Sequence, residues 1–361
     1  MKFKLKRIDW YIIKQFLGTY VFAIALIISI SVVFDINEKL DDFLNPDVPL
    51  KAIVFDYYMN FIPYFINLFS PLFTFIAVIF LTSKLADRSE IIAMLASGMS
   101  FRRLMLPYGI SAAVIAIVTY ILNAYIIPPA NITRIDFQNK YIKNKETKSV
   151  RNAQLEVEPG VIAYFDNFQS SSNMGYRFSL EHFENKKLVS RLTAKSIKYD
   201  SLYTWTIIDY VIRDFDGMHE YIREGSRMDT TLTIVPSDFL ISINDCEKMT
   251  SPQLREYIDR QKKRGVANIQ TFEIEYYKRY ATFMAAFILT SIGASLSSRK
   301  VKGGMGLNIG IGLGLSFSYI LFMTITSTFA ISGFVSPAVA AWIPNILYTF
   351  IAIYLYLKAP R

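Results

Sequence analysis

The stretch Lys84 to Arg103, KLADRSEIIAMLASGMSFRR, is a short polar interruption between two long apolar runs, and it decides how the 361-residue chain is read. Its pattern predicts a small helix outside a membrane. Asp87 is placed to cap it, with Glu90 three residues on, where the partner in a capping box would reach back. Gly98 is placed to end it, because a residue without Cβ accepts the left-handed conformation that closes a helix. Ile91, Met94 and Leu95 share one face at helical spacing, and Glu90, Ala93 and Ser97 form a small, polar strip on another. So short a helix is marginal alone in water. Its own protein or a partner must hold it.

The flanking runs carry the membrane reading. Hydrophobic residues make up 52% of the chain, and several uncharged stretches reach the roughly 18–20 residues that cross a bilayer as a helix. Spans are expected near residues 10–34, 57–83 and 104–127, the third ending at Pro128-Pro129. A fourth is expected near 280–298. The uncharged run from Gly303 to Leu357 is long enough for two more, broken between Ser332-Gly333 and Ser336-Pro337. Six spans result. Residues 1–129 hold the first three, with the polar helix at 84–100, and residues 273–361 hold the rest.

Between them, residues 130–249 read as a soluble β domain. RFSLE (Arg177 to Glu181), Leu192 to Tyr199 and TWTIIDYVIRDF (Thr204 to Phe215) alternate or nearly alternate, with β-branched and aromatic residues enriched. Turn signals separate them at Pro159-Gly160, Ser170 to Asn173, Glu184-Asn185 and Asp216-Gly217. Strands of this size and spacing predict an antiparallel sandwich or jelly roll. Residues 250–272 form a connector. Its SPQLREYIDRQKKRG begins with a Ser-Pro helix entry, places Leu254 and Ile258 on one side and ends at Gly265. The fold class is therefore an α-helical polytopic membrane protein with an inserted all-β domain.

Charge sets the orientation. The net charge of +9 sits in short segments beside the spans, and no aromatic-rich basic pattern accompanies it, so nucleic acid is a poor partner. The N-terminus, the Lys84 to Arg103 stretch, the loop with Arg299, Lys300 and Lys302, and the end with Lys358 and Arg361 are rich in Lys or Arg. An even number of spans puts these four on one side, which the positive-inside rule makes cytoplasmic. The acidic loop after the first span and the β domain then lie outside the cytoplasmic membrane. The basic start (Lys2, Lys4, Lys6, Arg7) resembles a signal-peptide n-region, but the apolar run that follows is too long and is expected to be a retained span. The single cysteine, Cys246, allows no internal disulfide.

The residues offer no catalytic constellation. There is no paired Cys/His at metal spacing and no nucleophile elbow, and His182 and His219 read as ordinary sheet residues. Apart from Lys14 near the start of the first span, the spans contain no ionisable residue other than tyrosine, which argues against an ion-coupled pump. The run GGMGLNIGIGLGLSF suggests a phosphate loop but lacks the Lys-Ser/Thr that would hold phosphate and metal. Gly306, Gly310 and Gly314 are instead expected to support close helix packing or a mobile contact face of the fifth span. With no engine of its own, such a chain fits the membrane subunit of an ATP-driven transporter.

RSEIIAMLASG (Arg88 to Gly98), placed between the second and third of six spans, resembles the coupling-helix motif of the LptF/LptG-type lipopolysaccharide-export permeases. Ile8-Asp9-Trp10-Tyr11-Ile12, the Trp205 to Asp209 strand, SPQLREYI and EIEYYKRYA (Glu273 to Ala281) extend the resemblance over nearly the whole chain. The resemblance implies a non-catalytic half-transporter of the bacterial inner membrane, with a periplasmic jelly roll. Its partners would be a paralogous permease in a heterodimer, two copies of a cytoplasmic ATPase that use ATP and Mg, and a bitopic accessory protein of the LptC type. A periplasmic jelly-roll bridge would receive the lipopolysaccharide. This chain would bind no cofactor. Carried over, Arg88, Glu90, Ile91, Leu95 and Gly98 become the ATPase-coupling residues, and the first and fifth spans form lateral gates. Family members place lysines at the outer end of the first span to meet the lipid's phosphates. Here that end reads FDINEKLDDF, so Lys39 is the candidate substrate contact, and the partner subunit is the other source of phosphate contacts. Two competing readings remain at this point. One is a permease of another lipid- or lipoprotein-exporting ABC system, usually with four spans. The other is a membrane-embedded lipid-modifying enzyme.

Overall fold

The computed structural model describes residues 5–142, 149–185, 187–217, 219–236, 243–263, 269–299 and 304–359. Lys2, Lys4, Gly265, Lys300, Lys302, Gly303 and Arg361 lie outside the described residues. The chain forms two compact units, one of residues 1–142, 247–251 and 273–361 and one of residues 143–246 and 252–272.

The main helices in chain order are α1 (Arg7–Glu38), α2 (Leu50–Asp87), the short α3 (Glu90–Ala96), α4 (Phe101–Ile142), α5 (Ser251–Lys263), α6 (Gln270–Ser297), α7 (Gly304–Ile331) and α8 (Pro337–Lys358). All except α3 and α5 are long and apolar enough to cross a membrane, which makes six spans among the described residues. They are apolar all round, and α1 leaves Phe22 and Phe34 about as exposed as side chains become, at 69% and 70%. A helix of that kind is stable where the surrounding medium is itself apolar.

The second span is the centre of the first unit. Phe75, Val78 and Ile79 are buried on it, where Gly293 of α6 and Gly312 of α7 come close. A Cβ on Gly293 would lie 2.3 Å from Val78 Cγ1, and one on Gly312 would lie 2.1 Å from Ile79 Cδ1. Small residues let membrane helices approach this closely. Several polar side chains buried between spans pair with one another. Tyr20 and Ser70 share a hydrogen bond of 2.7 Å, Thr82 donates to Tyr108 at 2.9 Å, and Asn308 donates to Ser83 at 3.1 Å.

The third span does not end at Pro128-Pro129. It passes through a π-helical turn at Leu122–Ile126, and the prolines occupy the first turn of the α-helical segment Ile127–Phe137. The π-helical turn just before them is the kind of local adjustment that accommodates proline within a membrane helix. Ile135 and Phe137 are buried, so residues 130–142 are helix of the membrane unit, not the start of the β domain.

The second unit holds the expected β domain together with most of α5. Strands β1 (Ser149–Glu158), β2 (Val161–Gln169), β3 (Met174–Glu184), β4 (Lys187–Ser201), β5 (Thr204–Asp216) and β6 (His219–Thr231) form one antiparallel sheet in chain order. A single sheet normally has two faces and cannot enclose a core alone. Here a line of irregular positions crosses all six strands at Asn152, Asp166, Arg177, Lys195, Asp209 and Ser226, where regular partnering lapses. Asn152, Arg177 and Asp209 take positive φ of 54°, 48° and 50°. Each irregular residue shifts the alternation by one, and a one-residue shift turns the side chains beyond it to the other face. Phe165 and Phe168, or Ala194 and Ile197, stand three apart and are both buried. The sheet thus folds over along this crease, and both halves feed one core with Trp205 in it. The Trp205 indole N–H donates to the Ile234 carbonyl at 3.0 Å.

Candidate functional site

The Lys84 to Arg103 stretch folds into α3, seven residues between the second and third spans. The entry differs from the expected capping box. Asp87 is the last residue of α2, and the N-cap of α3 is Ser89, at φ 60°, with no side-chain cap. The second span runs on to Asp87, so the chain must reverse within two residues, and a left-handed Ser89 makes that turn. Glu90 becomes the first helical residue, where its charge suits the positive end of the helix. Its carboxylate accepts a hydrogen bond of 3.1 Å from the Tyr11 hydroxyl of α1.

The exit follows the sequence reading. Gly98 has φ +86°, and the N–H groups of Gly98 and Met99 donate to the carbonyls of Leu95 and Met94 at 3.0 and 3.2 Å. This is the paired closure of a Schellman motif. Ile91 and Met94 are buried in the same core as Ile12, Phe16, Leu85 and Leu104, and Leu95 packs on it half-buried. Arg88, Ile92, Ala93, Ala96, Ser97 and Gly98 are exposed. Of the five predicted coupling residues, Arg88 and Gly98 lie open at the surface, Glu90 and Leu95 are half-buried, and Ile91 is a core residue. Ile92, 56% exposed, is the apolar side chain that α3 presents outward.

A second contact went unread in the sequence. The Arg103 guanidinium donates to both carboxylate oxygens of Asp9, at 2.8 and 2.5 Å, and the Lys6 backbone N–H donates to the same carboxylate at 2.7 Å. Asp9 is 1% exposed and Arg103 22%. The signal was available, since an acid at the head of a long apolar span calls for a cation.

The other predicted residues are placed elsewhere. Lys39 does not point free into solvent. Its ammonium is bonded to the Asp35 carboxylate and the Tyr57 hydroxyl, and lies 4.9 Å from the centre of the Tyr57 ring. Burial alone would lower its pKa, but these two partners outweigh it and hold the value above that of an ordinary lysine. Gly306, Gly310 and Gly314 do not carry the close packing of α7 within this chain. A Cβ on any of them would meet nothing within 4 Å, and Gly312 makes the approach instead.

A further polar cluster joins the return segment to the membrane unit. Asn131 donates to the Glu247 carbonyl at 3.3 Å, and Arg134 lies 3.9 Å from the Glu247 carboxylate. Arg279, buried, donates to the Ser251 hydroxyl at 3.1 Å. Burial first, and the Glu275 carboxylate second, push Glu247 above the usual carboxylate range against the pull of Arg134, Lys278 and Arg279.

The sequence matches the family described as lipopolysaccharide export system permease LptF/LptG over residues 10–358. The chain belongs to that family. No curated protein matches it. The permease is thus a multi-pass membrane protein with a role in lipopolysaccharide export, and both expected parts of the family's architecture, six spans and a β unit, are present.

Proposed function

We propose that this permease is one half of an ATP-driven exporter, and that α3 is the coupling helix on which a separate cytoplasmic ATPase docks. A paralogous permease completes the membrane part. The ATPase pair binds ATP and Mg, and this chain binds no cofactor. Both termini and α3 face the cytoplasm, and the β unit faces the periplasm. Lipopolysaccharide drawn from the inner membrane passes along the β unit towards an LptC-type accessory protein and the jelly-roll bridge to the outer membrane.

The observation that carries this reading is the construction of α3. It is short, anchored from beneath by Ile91 and Met94, and turned sharply at both ends by Ser89 and Gly98. That leaves Arg88, Glu90, Ile92 and Ala93 on a rigid knob between two spans. Arg88 and Glu90 supply charges of opposite sign and Ile92 an apolar anchor, a combination that suits a small protein interface. On the fifth span, Gly306, Gly310 and Gly314 give an open face for the paired permease at the lateral gate. With Lys39 engaged internally, the lipid's phosphates are left to the partner.

Affinity purification of the intact chain from native membranes tests this. A nucleotide-binding ATPase and a second six-span permease are expected to travel with it. Recovery of a chain that turns over lipid without any ATPase would overturn the reading in favour of an enzyme.

A further inference from the structure

Two polar contacts from the start of α1 flank α3, one at its first residue and one just beyond it at the head of α4. Tyr11 reaches Glu90, the first residue of α3, and Asp9 reaches Arg103, in the first turn of the helix that follows it. Both donors and acceptors on α1 lie within its first turn and a half. Between the two polar contacts, Ile12 and Phe16 of α1 share one core with Ile91 and Met94 of α3. The covalent neighbours of α3 are different elements, α2 and α4, and each meets it through a turn: the left-handed Ser89 at entry and the left-handed Gly98 before α4.

We propose that Asp9 and Tyr11 are positioning residues that strap the first span to the start of the coupling helix and to the head of α4 just beyond it, so that displacement of α3 is delivered to α1. The chemistry suits the task. The Asp9 pair is bidentate, desolvated on the carboxylate side and reinforced by the Lys6 N–H, so it holds direction as well as distance. The Tyr11 hydroxyl makes a single exposed bond that can break and re-form as α3 is loaded. α1 is also the span with the most outward apolar surface, only 17% buried over its most apolar stretch, so it has little of its own chain to resist being moved. Neither residue needs to touch the ATPase.

The inference rests on the reading of α3 as the coupling helix, and the test separates the two. The complete complex, with the ATPase that purifies with it, is reconstituted in vesicles containing lipopolysaccharide, and three quantities are read: ATPase recovered, ATP hydrolysed and lipopolysaccharide moved. Tyr11→Phe removes only a hydroxyl, and Asp9→Asn removes the charge but keeps the shape. Both are expected to keep ATPase recovery and hydrolysis, per folded permease, near the parent level while transport per ATP falls several-fold. Restoring an ion pair in reverse, with Asp9→Arg and Arg103→Asp together, is expected to recover part of the loss. If Tyr11→Phe and Asp9→Asn both move lipopolysaccharide at the parent ratio, the strap is overturned. Glu90→Lys in the same vesicles reports on the underlying reading. If it leaves ATPase recovery unchanged, α3 is not the coupling helix and the strap falls with it.

Discussion

Asp9 and Arg103 stand 94 residues apart in the chain and meet in a two-bond ion pair at the start of the first and third spans. Asp9 is almost wholly shielded from solvent and Arg103 about three-quarters so. Removing one partner of such a pair strands the other. Arg103→Ala is expected to destabilise the permease by about 3 kcal/mol, the low end for a broken buried pair because Arg103 keeps some solvent. Asp9→Asn combined with Arg103→Gln is expected to cost clearly less than the two single changes summed, since neither leaves a lone buried charge. Unfolding in detergent, followed by intrinsic fluorescence, measures all four variants. Strict additivity would show that the two groups are not coupled.

The glycines of the sixth and seventh helices divide by what faces them. Gly293→Ala drives a Cβ to 2.3 Å from a Val78 methyl in a fully buried site. Overpacking of that kind costs about 1–3 kcal/mol. Gly310→Ala meets nothing within 4 Å and is expected to change stability by no more than about 0.5 kcal/mol. Thermal melting of the two variants side by side distinguishes them. A Gly310→Ala variant that melts normally but loses the paired permease would place its role between subunits.

Glu247 gives a pH dependence whose sign follows from its surroundings. Burial and then the Glu275 carboxylate raise its pKa in the folded chain. A carboxyl group with a raised folded pKa stabilises the protein while protonated, and that contribution is lost as pH rises through the folded value. Glu247→Gln removes the ionisation. The variant is expected to melt higher than the parent at about pH 8 and level with it at about pH 3, below the ordinary glutamate value. A variant that melts lower at alkaline pH would mean that the attraction to Arg134 outweighs the desolvation.

Much of this architecture was legible in the residues. Uncharged length locates the spans, and Ser332 to Pro337 marks the break between α7 and α8, which fall at Ile331 and Pro337. The β turns announced themselves through residues that tolerate left-handed backbone, and Gly160, Asn173, Asn185 and Gly217 all adopt it. The turn between β4 and β5 did not, because Leu202 and Tyr203 take positive φ without being turn formers. The crease was hidden for a related reason. A break in a two-residue period, such as that between Ile207 and Tyr210, looks like a weak strand until the neighbouring strands break at the same level. At α3 the apolar face and the Gly98 exit were readable. The entry was not, since local spacing could not show that α2 runs to Asp87. The grip of α1 on α3 is a long-range contact, and spacing within one stretch carries no trace of it.

The central claim is that α3 carries the ATPase, and the most direct measurement is the amount of ATPase recovered with Glu90→Ala and Glu90→Lys permeases purified from native membranes. Tyr11→Phe serves as the control for loss of the internal hydrogen bond alone. Charge reversal at a small interface is expected to lower recovery by about tenfold, equivalent to about 1.4 kcal/mol of binding, with the melting temperature of the permease unchanged and Tyr11→Phe recovered at the parent level. Parent-level recovery and transport with both Glu90 variants would contradict the account and leave Glu90 as no more than the partner of Tyr11.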